Sequence, residues 1–172
     1  MTAYVALLRA ENVGGTAKLP MAELKAIAEK LGFGNPGTFI ASGNLVFTSD
    51  KSEAQVKEAL EKALAAHMGK PVPVMVRTGA EMAEVAQANP FKDAPGRRVL
   101  VTFLAGPPPN DALEQAKNLD GERLALGRRE LYVDYCGTLL GRSKLRIPAA
   151  VNGTARNMNS VAKLAEMAKE ME

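Results

Sequence analysis

Apolar spacing across residues 1–77 alternates between a two-residue and a 3.6-residue period in the order strand, helix, strand, strand, helix, strand. This order limits the fold more than any other feature of the chain. Val5 and Leu7 sit in a short apolar run that ends at the turn-prone Glu11-Asn-Val-Gly-Gly15. Pro20 suits a first helical turn, and Met21, Leu24, Ala28 and Leu31 then recur on one face up to Gly32. Thr38 to Ala41 and Leu45 to Thr48 read as a hairpin turning at Ser42-Gly43-Asn44. Ser52 and Gln55 form a capping box ahead of Val56, Leu60 and Leu64, and that helix stops near His67 and Gly69. Pro71 to Val76 follows as an edge strand, because its two prolines lack the amide donors of a central one. The order βαββαβ predicts an α+β fold whose first subdomain, residues 1–77, is a ferredoxin-like sandwich with helices on one face of a four-stranded antiparallel sheet.

Thr78 and Glu81 cap a further helix carrying Met82 and Val85, so residues 78–96 read as a linking helix and connector. Arg98 to Leu104 is then a strand, and Pro107-Pro-Pro109 leads into a helix with Leu113, Ala116 and Leu119. Glu122 to Leu126 pairs through Gly127-Arg128 with Glu130 to Tyr135. The same order has restarted, which predicts a tandem duplication with a second, degenerate ferredoxin-like unit over residues 97–172. Helical segments near Gly141 to Leu145 and Asn157 to Met171 are expected to complete it in place of a clear fourth strand.

One cysteine, Cys136, and one histidine, His67, exclude an intrachain disulfide and leave no ligand cluster for zinc or haem, so no metal or cofactor is expected. The N-terminal apolar run is broken by Arg9 and is too short for a signal or membrane segment. With a lone thiol, the expectation is a cytoplasmic protein without a membrane partner. Lys and Arg number 22 against 19 Asp and Glu, an excess of +3 that implies an anionic partner only where it is concentrated. From Tyr135 to Ser160 the chain carries Arg142, Lys144, Arg146 and Arg156 and no acid.

Motifs for catalysis are weak. Gly32-Phe-Gly34-Asn-Pro-Gly37 spells a dinucleotide fingerprint but follows a helix instead of a strand, so it reads as a helix stop and loop. Gly137 to Lys144 misses the Walker spacing by one residue. His67 is accounted for by the dipole at a helix C-terminus, and Cys136 reads as an inert, half-buried thiol. No acid-base couple is identifiable, which ranks a metal-independent enzyme below a binding protein.

Two helix entrances are more informative. Arg9 follows the first strand, and Asn12, Gly14, Gly15 and Lys18 make a loop before a helix N-terminus, where free amides favour an anion. Asn152 to Asn159 introduces the last helix, with Thr154 or Asn157 as cap and Arg156 suited to a bidentate anion contact. The structural alternative is that these residues cap backbone groups and pair internally.

Several segments now fall into one pattern: Tyr4-Val-Ala-Leu-Leu-Arg9, Asn12-Val-Gly-Gly15, Lys18 with Pro20 to Leu24, Ser42-Gly43-Asn44 with Val46-Phe47, Ser143-Lys144-Leu145, and Thr154-Ala-Arg-Asn157 with Asn159. On them the sequence resembles the bacterial proteins grouped as domain of unknown function 1697. The resemblance implies an α+β fold of two ferredoxin-like subdomains and brings no established activity or cofactor. Ala10-Glu11 stands where the family tends to have Gly-Ile, placing a negative charge beside Arg9, and Met158 stands where it tends to have Trp. A stacking role for that aromatic therefore does not transfer.

The expected function is a binding module for a small anionic or nucleotide-like ligand in a groove between the subdomains. Its candidate residues are Arg9, Asn12, Gly14, Gly15, Lys18, Ser42, Asn44, Lys144, Arg156, Asn157 and Asn159. Nucleic-acid binding through a ferredoxin-like sheet face is the alternative, although spaced aromatics of the usual recognition signature are missing.

Overall fold

The computed structural model describes residues 1–9, 19–39, 43–136 and 142–172. The architecture is α+β, with two four-stranded antiparallel sheets and, among the described residues, four α-helices. Strands β1 (Thr2–Leu8), β2 (Gly34–Thr38), β3 (Asn44–Ser49) and β4 (Val74–Thr78) form the first sheet in the order β2-β3-β1-β4. Strands β5 (Val99–Phe103), β6 (Arg123–Leu126), β7 (Glu130–Asp134) and β8 (Thr154–Asn157) form the second in the order β6-β7-β5-β8. Counted within each sheet, the two orders are the same. The α-helices among the described residues are α1 (Met21–Lys30), α2 (Glu53–Met68), α3 (Gly79–Gln87) and α4 (Met158–Glu170). Among the described residues no helix is long and apolar enough to cross a membrane.

The chain divides into two compact units, residues 1–83 with 163–172, and residues 84–162. In the first, Tyr4, Ala6, Leu8, Leu45, Phe47, Val74 and Val76 point from alternate strand positions toward Leu24 and Ala28 of α1 and Val56, Leu60 and Leu64 of α2. The anticipated capping boxes are formed. Ser52 Oγ accepts from the Gln55 amide at 3.2 Å while Gln55 Oε1 accepts from the Ser52 amide at 3.0 Å, and Thr78 and Glu81 make the same reciprocal pair at 3.1 and 2.9 Å. Gly69, at φ 74°, ends α2 in the left-handed conformation that glycine adopts without strain. The C-terminal half of α4, expected with the second half of the chain, belongs to the first unit. Its Ala168 lies so close to Gly79 that a Cβ there would stand 2.9 Å from the alanine methyl.

Four local expectations are corrected. Gly34 to Thr38 is not a loop but edge strand β2, irregular between Gly34 and Gly37, where Asn35 takes φ 47°. An edge strand tolerates Pro36, and Gly34 admits the Thr48 side chain where a Cβ would collide with it. No helix forms over Leu113 to Leu119. Residues 109–116 make successive turns instead, and Lys117 pairs in an antiparallel bridge with Arg146. A clear fourth strand does exist: β8 pairs with β5 through Leu100↔Asn157 to Phe103↔Thr154. It lacks an apolar signal because it buries Thr154 and Arg156. Of the helix anticipated near Gly141 to Leu145, Arg142 takes a 3-10 conformation, residues 143–145 are non-helical and Gly141 lies outside the described residues.

Candidate functional site

Asn12, Gly14, Gly15, Lys18 and Ser42 lie outside the described residues. Arg9, half-buried, follows β1 in the first unit, whereas Lys144, Arg156, Asn157 and Asn159 belong to the second. Asn44 is buried as the first residue of β3, and its Nδ2 donates to the Phe39 carbonyl at 2.9 Å. Lys144 is exposed.

Arg156 lies on β8 opposite Val101, 6% exposed, with Nη1 donating to the Ala155 carbonyl at 2.8 Å. Burial pulls its pKa down to about 10, since desolvation disfavours the charged form. Asn157 is the cap of α4: its Oδ1 accepts from the Ser160 amide at 2.9 Å. Thr154, the other candidate cap, is buried in β8 opposite Phe103. Asn159 rests against Gly96, where a Cβ would meet its side chain.

Sequence reasoning missed an equivalent residue in the first unit. Arg77 of β4 is 2% exposed, stands opposite Val5 of the first strand, and donates from Nη1 to the Val76 carbonyl at 3.0 Å. It precedes Thr78, the cap of α3, as Arg156 precedes Asn157. The signal was present in Arg77-Thr78-x-x-Glu81-Met82-Ala83-Glu84-Val85 and Arg156-Asn157-x-x-Ser160-Val161-Ala162-Lys163-Leu164, which share a buried cation, a cap and the helical apolar spacing after it.

A second cluster was also missed. Asp134, at the end of β7, is fully buried, and it accepts from Arg98 Nε at 2.7 Å, Arg123 Nε at 2.9 Å and the Cys136 amide at 3.0 Å. Burial alone would raise its pKa, but the two guanidiniums and the Cys136 donors outweigh that and hold it well below the carboxylate range. Arg123 also reaches Asp93 at 3.0 Å and lies over the Phe91 ring at 4.7 Å. The Cys136 thiol donates to Asp134 Oδ2 at 3.2 Å from a residue at φ 47°. The arrangement ties together the ends of β5, β6 and β7. Its charges neutralise one another, and it offers no base to a substrate.

Elsewhere, Ser143 donates to the buried Glu122 at 2.6 Å, a bond that, with the Asp120 amide, lowers the Glu122 pKa. His67 Nε2 stands 3.4 Å from Glu23, and both line a shallow groove of about 610 Å³ with Ile27 and Leu31. Among the described residues no group of three or more His, Cys, Asp or Glu is placed to hold a metal ion. Strands β1, β3 and β7 are buried on both faces, apart from Thr2, and so present no open platform on which bases would stack.

The conserved bacterial protein SP0830 from Streptococcus pneumoniae has a similar structure, with a TM-score of 0.76 and 26% sequence identity over 97% of this chain and 98% of that one. No curated protein matches the chain. The model of the family described as protein of unknown function DUF1697 matches residues 1–132, and the chain belongs to that family.

Proposed function

We propose that the chain is a cytoplasmic binding module for a small anionic or nucleotide-like ligand, carried on two ferredoxin-like units that arose by tandem duplication. The duplicated segments are residues 1–77 and 97–172 of the sequence, with residues 78–96 between them, and the C-terminal half of α4 has come to belong to the first compact unit. The common strand order and the paired Arg77 and Arg156 positions support the duplication. In the second unit, turns over residues 109–116 stand where the first has α1.

The observation that carries the ligand reading is Arg156. It lies directly ahead of a capped helix and within 26 residues that carry four Lys and Arg and no acid, a local positive potential that favours an anionic ligand. Arg9, Lys18 and Lys144 are the other cations of the proposed set, with Asn12, Gly14, Gly15, Ser42, Asn44, Asn157 and Asn159 as its polar members. A thermal-shift panel of nucleotides, phosphosugars and carboxylates tests the reading. A ligand present at about 100 times its Kd stabilises by about 2.7 kcal/mol, an easily measured rise in melting temperature. Failure of every compound at millimolar concentration rejects it.

A further inference from the structure

The net charge of the chain is concentrated in one unit. Residues 84–162 hold eleven Lys and Arg against eight Asp and Glu, a balance of +3, whereas residues 1–83 with 163–172 hold eleven of each. Within the positive unit three acids are taken up by ion pairs, Asp134 with Arg98 and Arg123, Asp93 with Arg123, and Glu84 with Arg128, which leaves eight cations against five acids. The excess therefore falls on the remaining cations.

Three of these are gathered by the backbone. Lys117 and Arg146 form an antiparallel bridge closed by both of its bonds, the Lys117 amide to the Arg146 carbonyl at 2.7 Å and the Arg146 amide to the Lys117 carbonyl at 2.9 Å. Residues so paired present their side chains on one side, and like charges placed there repel. Burial alternates over the next residues, with Leu145 and Ile147 packed against the core and Lys144 and Arg146 exposed, which sets Lys144 diagonal to Lys117. Ser143, held by Glu122, fixes the start of this segment. Among the described residues no acid forms an ion pair with Lys117, Lys144 or Arg146.

We propose that this exposed ladder of Lys117, Lys144 and Arg146 is a contact surface for the phosphate backbone of a nucleic acid. Solvated cations gain little from a single small anion, but a polyanion releases condensed counterions at every phosphate they neutralise. The surface shares Lys144 with the proposed small-ligand set but uses neither the buried Arg156 nor the sheet faces, and Lys117 and Arg146 belong to it alone.

Fluorescence anisotropy with a labelled 20-nucleotide single-stranded RNA tests this on the full chain. Three phosphate contacts give a slope of log K against log salt of about −2, so affinity falls about 20-fold from 50 to 200 mM salt. Lys117→Gln, Lys144→Gln and Arg146→Gln should each flatten the slope by about 0.7 with unchanged melting temperature, whereas Arg128→Gln, which removes a cation paired with Glu84, should not. Absence of binding at 50 mM salt overturns the proposal. So does a slope that the three substitutions leave intact, or displacement of the RNA by an equimolar amount of inorganic pyrophosphate.

Discussion

Replacing Asp134 by Ala removes the acceptor that joins Arg98 at the start of β5 to Arg123 at the start of β6. Breaking a fully buried ion pair costs about 3–5 kcal/mol. Here the carboxylate is fully buried, but Arg98 and Arg123 are 37% and 41% exposed and regain water once released, so the expected loss is about 2–3 kcal/mol. For a chain of this length that is a fall in melting temperature of about 4–12 °C. The loss is also pH-dependent. Because folding lowers the Asp134 pKa below 3.8, its contribution is complete above that value and disappears as pH falls through the folded one. Urea titrations of wild type and Asp134→Ala between pH 7 and pH 2.5 should show a constant gap at the upper end. Below pH 3.8 the gap should narrow at a rate approaching about 1.4 kcal/mol per pH unit. A gap under about 1 kcal/mol at pH 7, or one that does not change with pH, refutes the assignment.

Further substitutions probe the packing. Gly153→Ala places a methyl 2.9 Å from the Phe103 carbonyl and 2.5 Å from Thr102 Cγ2, and should destabilise by about 1–3 kcal/mol in urea unfolding, since backbone cannot turn aside as a side chain does. Ser52→Ala opens the capping box of α2 and should lower stability by about 1 kcal/mol, with Ser52→Thr restoring most of it.

Elements with strong periodicity and local punctuation were legible: α1 and α2 and the capping boxes at Ser52 and Thr78 follow from residue type and spacing. Strand β4 lies at an edge as expected but runs from Val74 to Thr78, after both of the prolines on which that expectation rested. What escaped were elements whose reason for existing is tertiary. Strand β8 has the composition Thr-Ala-Arg-Asn, and only its pairing with the buried centre of β5 makes it a strand. Leu113 and Ala116 have helical spacing, yet the bridge from Lys117 to Arg146 draws the following chain into pairing, and Leu119 ends 55% exposed. The Asp134 cluster joins residues 36 and 11 positions apart, so no local pattern announces it. Of the expected site, the composition of residues 135–160 revealed a positive stretch but not that Arg156 turns inward while Lys144 and Arg146 face water.

The two buried arginines allow architecture and ligand binding to be separated. Arg77 and Arg156 occupy the same register opposite a buried valine, each donates to the carbonyl of the preceding residue, and each is followed by a helix cap. If burial of the guanidinium serves only to join strand to helix, Arg77→Lys and Arg156→Lys should lower stability by similar amounts, because lysine keeps the charge but loses the planar fork. If Arg156 also holds an anion, the same pair should differ in a second measurement. Arg156→Lys should abolish the ligand-induced rise in melting temperature, and Arg77→Lys should leave that rise intact while lowering the baseline. Equal loss of stability with the ligand response preserved in both variants would assign the two arginines to the fold alone and remove Arg156 from the binding set.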